Sequence, residues 1–256
     1  METNEKIVIY YFSATGNSLK TASVIASQYK ESRLVKINRQ NVLEHPDSSI
    51  VGFVFPVYMG GVPDIVHRFL ESFPFQKDAY YFSVATYYTY KGSALSVVNK
   101  ILKNKGVNLN YGNYVPTVGN CLKEYEVSAV KRPVILERAD TITSKIADEI
   151  KDKMEVQPSK YCGVSEKLHT GMFNIFFKDT HKKFVLEDSC VGCGICGKVC
   201  PVDNISIKDK KPQWSTNCES CHACVHWCPK NAISLGKSKG RLQYRNPDVK
   251  MADLLR

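Results

Sequence analysis

The chain has 256 residues, of which ten are cysteines, and a formal net charge of +10. Its longest apolar run, residues 50–59, is too short to span a membrane and is interrupted by Pro56. No motif of a nucleic-acid-binding fold accompanies the positive charge. We therefore expect neither a membrane span nor nucleic acid binding, and we expect a cytoplasmic protein.

The first part of the chain alternates predicted strands with predicted helices. Apolar runs predict strands at residues 6–12, 33–37, 50–55, 79–86 and 108–118. Helices are predicted from the first turn to about residue 29 and at residues 62–71, 93–103 and 129–153. This alternation predicts an α/β fold with a doubly wound, five-stranded parallel sheet over residues 1–156.

A polar turn separates the first predicted strand from the first predicted helix. It consists of Ser13, Ala14, Thr15, Gly16, Asn17 and Ser18. Backbone amides at the start of a helix attract anions, and a glycine lets a phosphate approach closely. A nucleotide triphosphatase loop is disfavoured, because asparagine follows Gly16 where such a loop has lysine. The turn predicts either a phosphate site or an ordinary helix cap.

Residues 157–182 form a predicted connector between the two parts of the chain. Its apolar residues make it unlike a free linker: Met172, Phe173, Ile175, Phe176 and Phe177. We expect the connector to pack against one or both neighbouring parts and to limit their motion. Cys121 and Cys162 lie outside the cysteine runs described next, and we expect them to be buried or idle thiols.

Two cysteine runs follow, and each has the spacing Cys-x2-Cys-x2-Cys-x3-Cys-Pro. The second run repeats the first at an offset of 28 residues, from 190 to 218, which marks a duplicated half-unit. The fourth cysteine of such a run binds the cluster of the other run. The runs therefore predict two 4Fe-4S clusters, cluster 1 on Cys190, Cys193, Cys196 and Cys228 and cluster 2 on Cys218, Cys221, Cys224 and Cys200.

Other interpretations of the cysteine runs fit less well. Zinc sites pair two cysteines with ligands about a dozen residues away, whereas each run places four cysteines within eleven residues. Disulfides are disfavoured in an intracellular protein. Short strands are predicted beside the runs at residues 184–186, 205–207 and 232–235. We expect His222 and His226 to be exposed or to donate hydrogen bonds to cluster sulfur, and not to be ligands.

The cysteine runs and their flanking strands, residues 183–236, resemble the bacterial two-cluster ferredoxins. The turn of residues 13–18 resembles the FMN-phosphate loop of flavodoxins. From residue 5 to about residue 236 the chain resembles the flavodoxin–ferredoxin fusion proteins known as EFR-family ferredoxins. This resemblance implies a flavodoxin-like sheet that binds FMN, followed by a small α+β ferredoxin domain that binds two 4Fe-4S clusters.

The resemblance also implies where the flavin ring binds. In this family the ring lies between the loops after the third and fourth strands, here residues 56–63 and 86–92. The implied contacts come from Pro56, Tyr58, Gly60, Thr86, Tyr87 and Gly92. Tyrosines stacked on a flavin disfavour the added charge of the reduced ring and so lower its reduction potential.

Bound cofactors change the charge balance. Two oxidised clusters and one FMN phosphate lower the formal +10 to about +4. The basic tail, residues 237–256, carries Lys237, Lys239, Arg241, Arg245, Lys250 and Arg256. We expect this tail to be solvated, with the steering of an acidic redox partner as the alternative.

These features predict an electron-transfer protein that passes single electrons between two 4Fe-4S clusters and an FMN. It would link a low-potential donor to a protein redox partner. One alternative is a flavin-dependent reductase of a small molecule, fed by its own clusters, and another is a redox-sensing binding protein. No acid–base pair or nucleophile constellation is apparent, so no catalytic residue is predicted. We expect the cytoplasm of an anaerobe, because exposed clusters degrade in oxygen.

Overall fold

A five-stranded parallel sheet forms the N-terminal part of the protein. The computed structural model describes residues 3–39, 48–122, 124–158 and 179–255. The strands are β1 (Thr3–Tyr11), β2 (Tyr29–Lys36), β3 (Ile50–Pro56), β4 (Tyr80–Tyr87) and β5 (Tyr111–Pro116). Their order across the sheet is β2-β1-β3-β4-β5. This is the order of flavodoxin-like doubly wound sheets, and it confirms the predicted fold class.

Helices cover both faces of this sheet. They are α1 (Asn17–Ala26), α2 (Asp64–Ser72), α3 (Ala94–Asn104) and α4 (Lys131–Lys151). Successive residues of β1 point to opposite faces, so Ile7 and Ile9 pack with α1 and α4, whereas Val8 and Tyr10 pack with α2 and α3. Because both faces are buried, the central strands are apolar almost throughout.

The edge strand β2 begins earlier than the sequence predicts. The apolar pattern extends the first helix to about residue 29 and starts a strand at residue 33, but α1 ends at Ala26 and β2 begins at Tyr29. Tyr29 is buried and pairs with Thr3 of β1. Residues 30–34 of β2 are exposed. An edge strand of this kind lacks the apolar alternation that reveals a strand in a sequence.

The C-terminal part contains two small antiparallel sheets and two short helices. β6 (Phe184–Leu186) pairs with β9 (Ile233–Leu235), and β7 (Ile205–Lys208) forms a hairpin with β8 (Lys211–Trp214). The strand β8 is not predicted from the sequence. Helices α5 (Ile195–Lys198) and α6 (Ala223–His226) each contain the third cysteine of their run. This small α+β arrangement agrees with the predicted fold class.

The C-terminal part packs against the carboxyl edge of the five-stranded sheet. Trp227 donates its indole N–H to the carbonyl oxygen of Ala14, just after β1, at 2.8 Å. Glu219 accepts a hydrogen bond from the backbone N–H of Ile65, at the start of α2, at 3.1 Å. The buried apolar clusters on the two faces of the sheet also include residues from the C-terminal part: Val199, Val202, Ala223 and Trp227.

The basic tail is packed against the rest of the protein, so the expectation of a solvated tail is wrong. Tyr244, Asn246, Val249 and Leu254 are all buried. The short helix α7 (Met251–Leu254) lies at the end of this segment. Burial of aromatic and aliphatic side chains holds the segment down, while basic side chains between them stay exposed and hydrated.

Most of the predicted connector, residues 159–178, lies outside the described residues. Cys162 and the apolar residues noted above are among these, so the packing of the connector stays a prediction. At its start, Gln157 donates to the carbonyl oxygen of Leu109 at 3.1 Å, which ties it to the sheet. In the parts of the chain that the structure describes, no helix has the length and apolar character needed to cross a membrane.

Candidate iron–sulfur and flavin sites

Four cysteines line one cavity of the C-terminal part, and we call this set cage 1: Cys190, Cys193, Cys196 and Cys228. Gly192 and Gly194 have φ angles of 69° and 75°, a left-handed conformation that bends the chain around the cavity. A Cβ atom on Gly192 would lie 2.6 Å from the carbonyl oxygen of Lys210, so a larger residue would collide there. Cage 1 is the cysteine set that the sequence predicts for cluster 1.

A second cavity is lined by the other four cysteines of the runs, which we call cage 2: Cys200, Cys218, Cys221 and Cys224. The repeat relates Ser220 and His222 to Gly192 and Gly194, and these two residues have φ angles of 52° and 60°. The two loops therefore follow the same backbone course. The structure brings together both predicted sets of cysteines, while the binding of iron to them stays a prediction.

The thiols and their surroundings fit iron–sulfur chemistry. Burial raises the pKa of Cys196 and of Cys218 to about 11, so each thiol stays neutral unless a metal withdraws its charge. Backbone N–H groups donate to Cys200 Sγ at 3.2 Å and to Cys228 Sγ at 3.3 Å. Hydrogen bonds to sulfur of this kind help to set the reduction potential of such clusters.

The grouping of the described cysteines does not match a mononuclear metal site. Among the described residues, no three Cys, His, Asp or Glu side chains are close enough to hold one metal ion. Four thiolates on one zinc ion lie about 3.8 Å apart, as a Zn–S bond of about 2.3 Å requires. Thiolates that each bind a different iron of a cubane lie farther apart than this.

The two cages differ in their exposure. Cys193 of cage 1 is exposed, and its neighbour Val191 is 58% exposed. In cage 2, Cys224 is buried, and Cys221 packs against the buried clusters on both faces of the sheet. Cage 2 therefore faces the five-stranded sheet, whereas cage 1 opens toward solvent.

The candidate phosphate loop, residues 13–18, is buried at the start of α1. Gly16 is the N-cap residue with a φ of 100°, and α1 has neither a side-chain cap nor an acidic residue in its first turn. Ser13 Oγ accepts from the backbone N–H of Gly16 at 3.2 Å, and Ser18 Oγ lies 2.9 Å from Thr86 Oγ1. Because a helix start of this kind offers amide donors to an anion, the loop fits the phosphate of FMN.

The C-terminal segment covers this loop, which the sequence did not predict. The backbone N–H of Asn246 donates to the carbonyl oxygen of Thr15 at 2.8 Å. The hydroxyl of Tyr244 donates to Asn17 Oδ1 at 2.5 Å, and the side-chain amide of Asn246 donates to the same oxygen at 3.1 Å. Residues from the end of the chain therefore enclose a loop near its beginning.

Most of the residues implied as flavin-ring contacts lie at or beyond the ends of β3 and β4. Pro56 is the last residue of β3, and Thr86 and Tyr87 are the last two of β4. Gly60 and Gly92 bring the two loops together, because a Cβ atom on Gly92 would collide with the carbonyl of Gly60. The loops are thus in contact, and their role in binding a flavin stays a prediction.

Tyr58, another residue implied as a ring contact, lies between the sheet and cage 2. Its ring meets that of Phe12 edge-on, with the centroids 6.1 Å apart. Burial raises its pKa, and the nearby Cys221 and Glu219 raise it further, so the hydroxyl stays protonated. By contrast, Tyr87 packs edge-on against Tyr114, with the ring centroids 6.0 Å apart.

His222 and His226 are buried, so exposure, the first of the two expected alternatives, is wrong, and donation to cluster sulfur stays a prediction for His222. His226 Nδ1 accepts the backbone N–H of Tyr244 at 3.0 Å, so Nε2 carries the proton and donates to the carbonyl oxygen of Asn120 at 2.8 Å. His222 Nδ1 lies 3.4 Å from the same oxygen. Burial lowers the pKa of His226 to about 3, which keeps it neutral. These side chains tie the loop after β5 to the C-terminal part.

Sequence reasoning missed Glu219 and Trp227, which join the two parts of the protein. The buried carboxylate of Glu219 pairs with Arg68 at 2.6 Å as well as accepting the amide of α2 described above. Burial raises its pKa, and Arg68 opposes this rise. A charged residue and a tryptophan inside a cysteine run indicate contact with another element, because neither is needed to bind a cluster.

Comparison with known proteins supports the ferredoxin-type part directly. Residues 189–233 match the family model described as a 4Fe-4S dicluster domain, and this range contains all eight cysteines of the two cages. Among curated proteins, none matches the sequence.

Solved structures resemble the N-terminal part. A flavodoxin of Streptococcus pneumoniae TIGR4 is 15% identical over 58% of this chain and 99% of its own, with a TM-score of 0.42. A flavoprotein of Lactobacillus acidophilus NCFM, solved in complex with FMN, is 16% identical over 43% of this chain and 93% of its own, with a TM-score of 0.35.

The strand order and the dicluster match together define the class of the protein. The chain is a fusion of a flavodoxin-like α/β sheet and a ferredoxin-type 4Fe-4S domain. The matched range lies within the predicted ferredoxin domain, residues 183–236, and the other predicted domain boundaries stay predictions.

Proposed function

We propose that the protein is an electron carrier that passes single electrons between two 4Fe-4S clusters and an FMN. One observation carries the proposal: cage 2 lies against the carboxyl edge of the sheet, where the loop of residues 13–18 also lies. Clusters exchange one electron at a time, whereas a flavin stores one or two. A buried contact between the two sites provides the short path that such an exchange needs.

The exposure of the cages supports an order of transfer. Cage 1 opens to solvent at Cys193, so it is the entry or exit for a protein partner. Cage 2 is enclosed between cage 1 and the sheet, so it is the internal link. The fourth cysteine of each run, Cys200 or Cys228, follows a short helix and lines the cage of the other run. Each run thus connects the two cages.

The loop of residues 13–18 is proposed to hold the phosphate of FMN. Its donors are the backbone amides of the first turn of α1, together with the hydroxyls of Thr15 and Ser18. The loop has no lysine, so the positive end of the helix dipole supplies the favourable charge. The C-terminal segment excludes water from the loop, which strengthens each of these interactions.

An acidic protein surface is the proposed partner of cage 1. Ile207, Pro212 and Lys230 line its cavity, and other exposed lysines lie on the β7–β8 hairpin and on α5. Exposed Asp188 and Asp209 offset part of this positive charge. The lysines are Lys198, Lys208, Lys210, Lys211 and Lys230. A partner with carboxylates around its own redox centre would be attracted to this face.

Cofactor content is the first test of this function. Anaerobically purified protein should contain about eight irons, because each 4Fe-4S cluster takes four cysteines, and one FMN. Iron analysis, acid-released flavin and the absorption spectrum measure this. Zinc with little iron, or protein that cannot take up FMN, would contradict the proposal.

Electron flow from the clusters to the flavin is the second test. Cys200→Ala should damage cluster 2 and slow the reduction of FMN by a reduced ferredoxin-type donor, while flavin content and direct chemical reduction of the flavin stay unchanged. Cys121→Ala is the matched control, because it removes a thiol outside both cages. If the donor reduces FMN equally fast in Cys200→Ala and in the control, the clusters are not the route.

A further inference from the structure

Several buried side-chain donors near cage 2 have no hydrogen-bond partner among the described residues. They include the indole N–H of Trp214 and the hydroxyl of Tyr58, together with the side chains of Asn204 and Ser220. A buried donor left without an acceptor costs free energy, so native structures nearly always provide one. Trp214 and Tyr58 come from different parts of the chain, yet Trp214 lines cage 2 and Tyr58 packs on the same buried cluster as Cys200 and Cys221 of that cage.

Trp214 lines the cavity of cage 2 directly. Its ring stacks on Phe184, with the centroids 5.2 Å apart and the planes at 19°, and this stacking fixes the direction of the indole N–H. The N–H of Trp214 is directed toward Sγ of Cys224. The contact falls short of full hydrogen-bond geometry, so the N–H is directed into the cavity without being satisfied by the thiol.

Tyr58 approaches cage 2 from the sheet, in the loop that follows β3. Its ring meets that of Phe12, which belongs to the buried cluster against which Cys200 and Cys221 of cage 2 also pack. Since the hydroxyl stays protonated, it can donate a hydrogen bond to a sulfur atom. The donor comes from the flavodoxin-like part, so it depends on the contact between the two parts of the protein.

Cage 1 lacks equivalent donors among the described residues that line it. Apart from the cysteines and Lys230, those residues are glycine, proline, valine or isoleucine. The offset of 28 residues relates Trp214 to Leu186, which has no polar atom in its side chain. The two cages are therefore alike in their cysteines but different in the polar groups that face them.

We propose that Trp214 and Tyr58 donate hydrogen bonds to sulfur atoms of the cluster in cage 2 and thereby raise its reduction potential. The proposal rests on the proposed function, because it requires a cluster in cage 2. Reduction adds one electron and one negative charge to the cluster, and sulfur then accepts a hydrogen bond more strongly. No proton leaves either side chain in this step.

The test compares Trp214→Phe with the unaltered protein, both loaded with cofactors under anaerobic conditions. The substitution keeps a ring that can stack on Phe184 but removes the N–H. A redox titration followed by electron paramagnetic resonance should show that reduction of cluster 2 becomes about tenfold less favourable, which is about 59 mV for one electron. The reduction potential of cluster 1 should stay unchanged. The signal that disappears in Cys221→Ala identifies cluster 2.

A second variant and a second measurement separate hydrogen bonding from packing. Tyr58→Phe should also lower the reduction potential of cluster 2. Phe184→Leu removes the ring that orients Trp214 but keeps the indole N–H, so it should lower the reduction potential of cluster 2 by less than Trp214→Phe does. In protein reconstituted in D2O, the electron spin echo of cluster 2 should contain a deuteron coupling that Trp214→Phe loses.

The outcomes distinguish this proposal from the proposed function. If Trp214→Phe and Tyr58→Phe keep about eight irons and leave both potentials unchanged, the hydrogen bonds do not tune the cluster, although the carrier function stands. Equal shifts in Trp214→Phe and Phe184→Leu would assign the effect to packing and overturn the proposal. If Trp214→Phe fails to hold iron in cage 2, the reduction potential of cluster 2 in Tyr58→Phe tests the proposal by itself, and an unchanged potential there overturns it. An unaltered protein with only about four irons would instead refute the second cluster itself.

Discussion

Replacing Gly16 with alanine tests whether the C-terminal segment covers the candidate phosphate loop. The φ of 100° at Gly16 is left-handed, and an L residue there costs about 1–2 kcal/mol. The new Cβ atom would also lie 2.9 Å from Cβ of Val249 and 3.0 Å from Cβ of Asn246. Overpacking of this kind costs about 1–3 kcal/mol. The free energy of unfolding should therefore fall by about 2–5 kcal/mol.

Denaturant unfolding of the anaerobically loaded protein, followed by circular dichroism, measures this loss. Gly106→Ala is the matched control, because Gly106 also has a left-handed φ, of 79°, but no atom lies within 4 Å of its Cβ position. In Gly106→Ala the free energy of unfolding should fall only by the cost of the left-handed φ, about 1–2 kcal/mol. In a Val249→Gly background, Gly16→Ala should cost less, since the closest atom is gone. Equal costs at Gly16 and Gly106, with no relief from Val249→Gly, would show that the segment does not press on the loop.

Two further predictions address the flavin and the partner. Thr15→Ala should weaken FMN binding by about 1–3 kcal/mol, because a charge-assisted hydrogen bond is lost, and a flavin fluorescence titration measures this. Riboflavin, which lacks the phosphate, should bind less tightly than FMN. Equal affinities for FMN and riboflavin would contradict a phosphate site in this loop. The double variant Lys208→Glu and Lys211→Glu should be reduced several-fold more slowly by an acidic protein donor at low salt, and the difference should shrink at high salt. The control Lys77→Glu, in the turn before β4, should leave this rate unchanged. A rate that is insensitive to both salt and these lysines would place the partner elsewhere.

The features that the sequence predicts well are those with a local signal. The cysteine spacing repeats with its prolines at a fixed offset, so both cages could be grouped without a structure. The central strands are apolar on both faces, and their pattern is unmistakable. The edge strand β2 has mostly exposed residues, so nothing local separates Tyr29 from the preceding helix.

The features that the sequence does not predict depend on contacts between distant residues. Tyr244, Val249 and Leu254 are separated by charged and polar residues. Val249 and Leu254 are buried by α1 and the loop after β1, and Tyr244 is buried by the loop after β5, so their burial follows only from distant surfaces. The histidines of the second run look like surface residues in the sequence. They are buried because the carbonyl of Asn120, about a hundred residues earlier, provides a shared acceptor.

The contact between Asn17 and Tyr244 spans 227 residues of sequence. A ribosome that adds about 5–20 residues per second needs roughly 10–45 s to make that stretch. For most of this interval the loop of residues 13–18 has left the ribosome while the segment that covers it has not been made. Until the segment is made, the carbonyl oxygen of Thr15 and the amide oxygen of Asn17 lack the donors that they have in the folded protein.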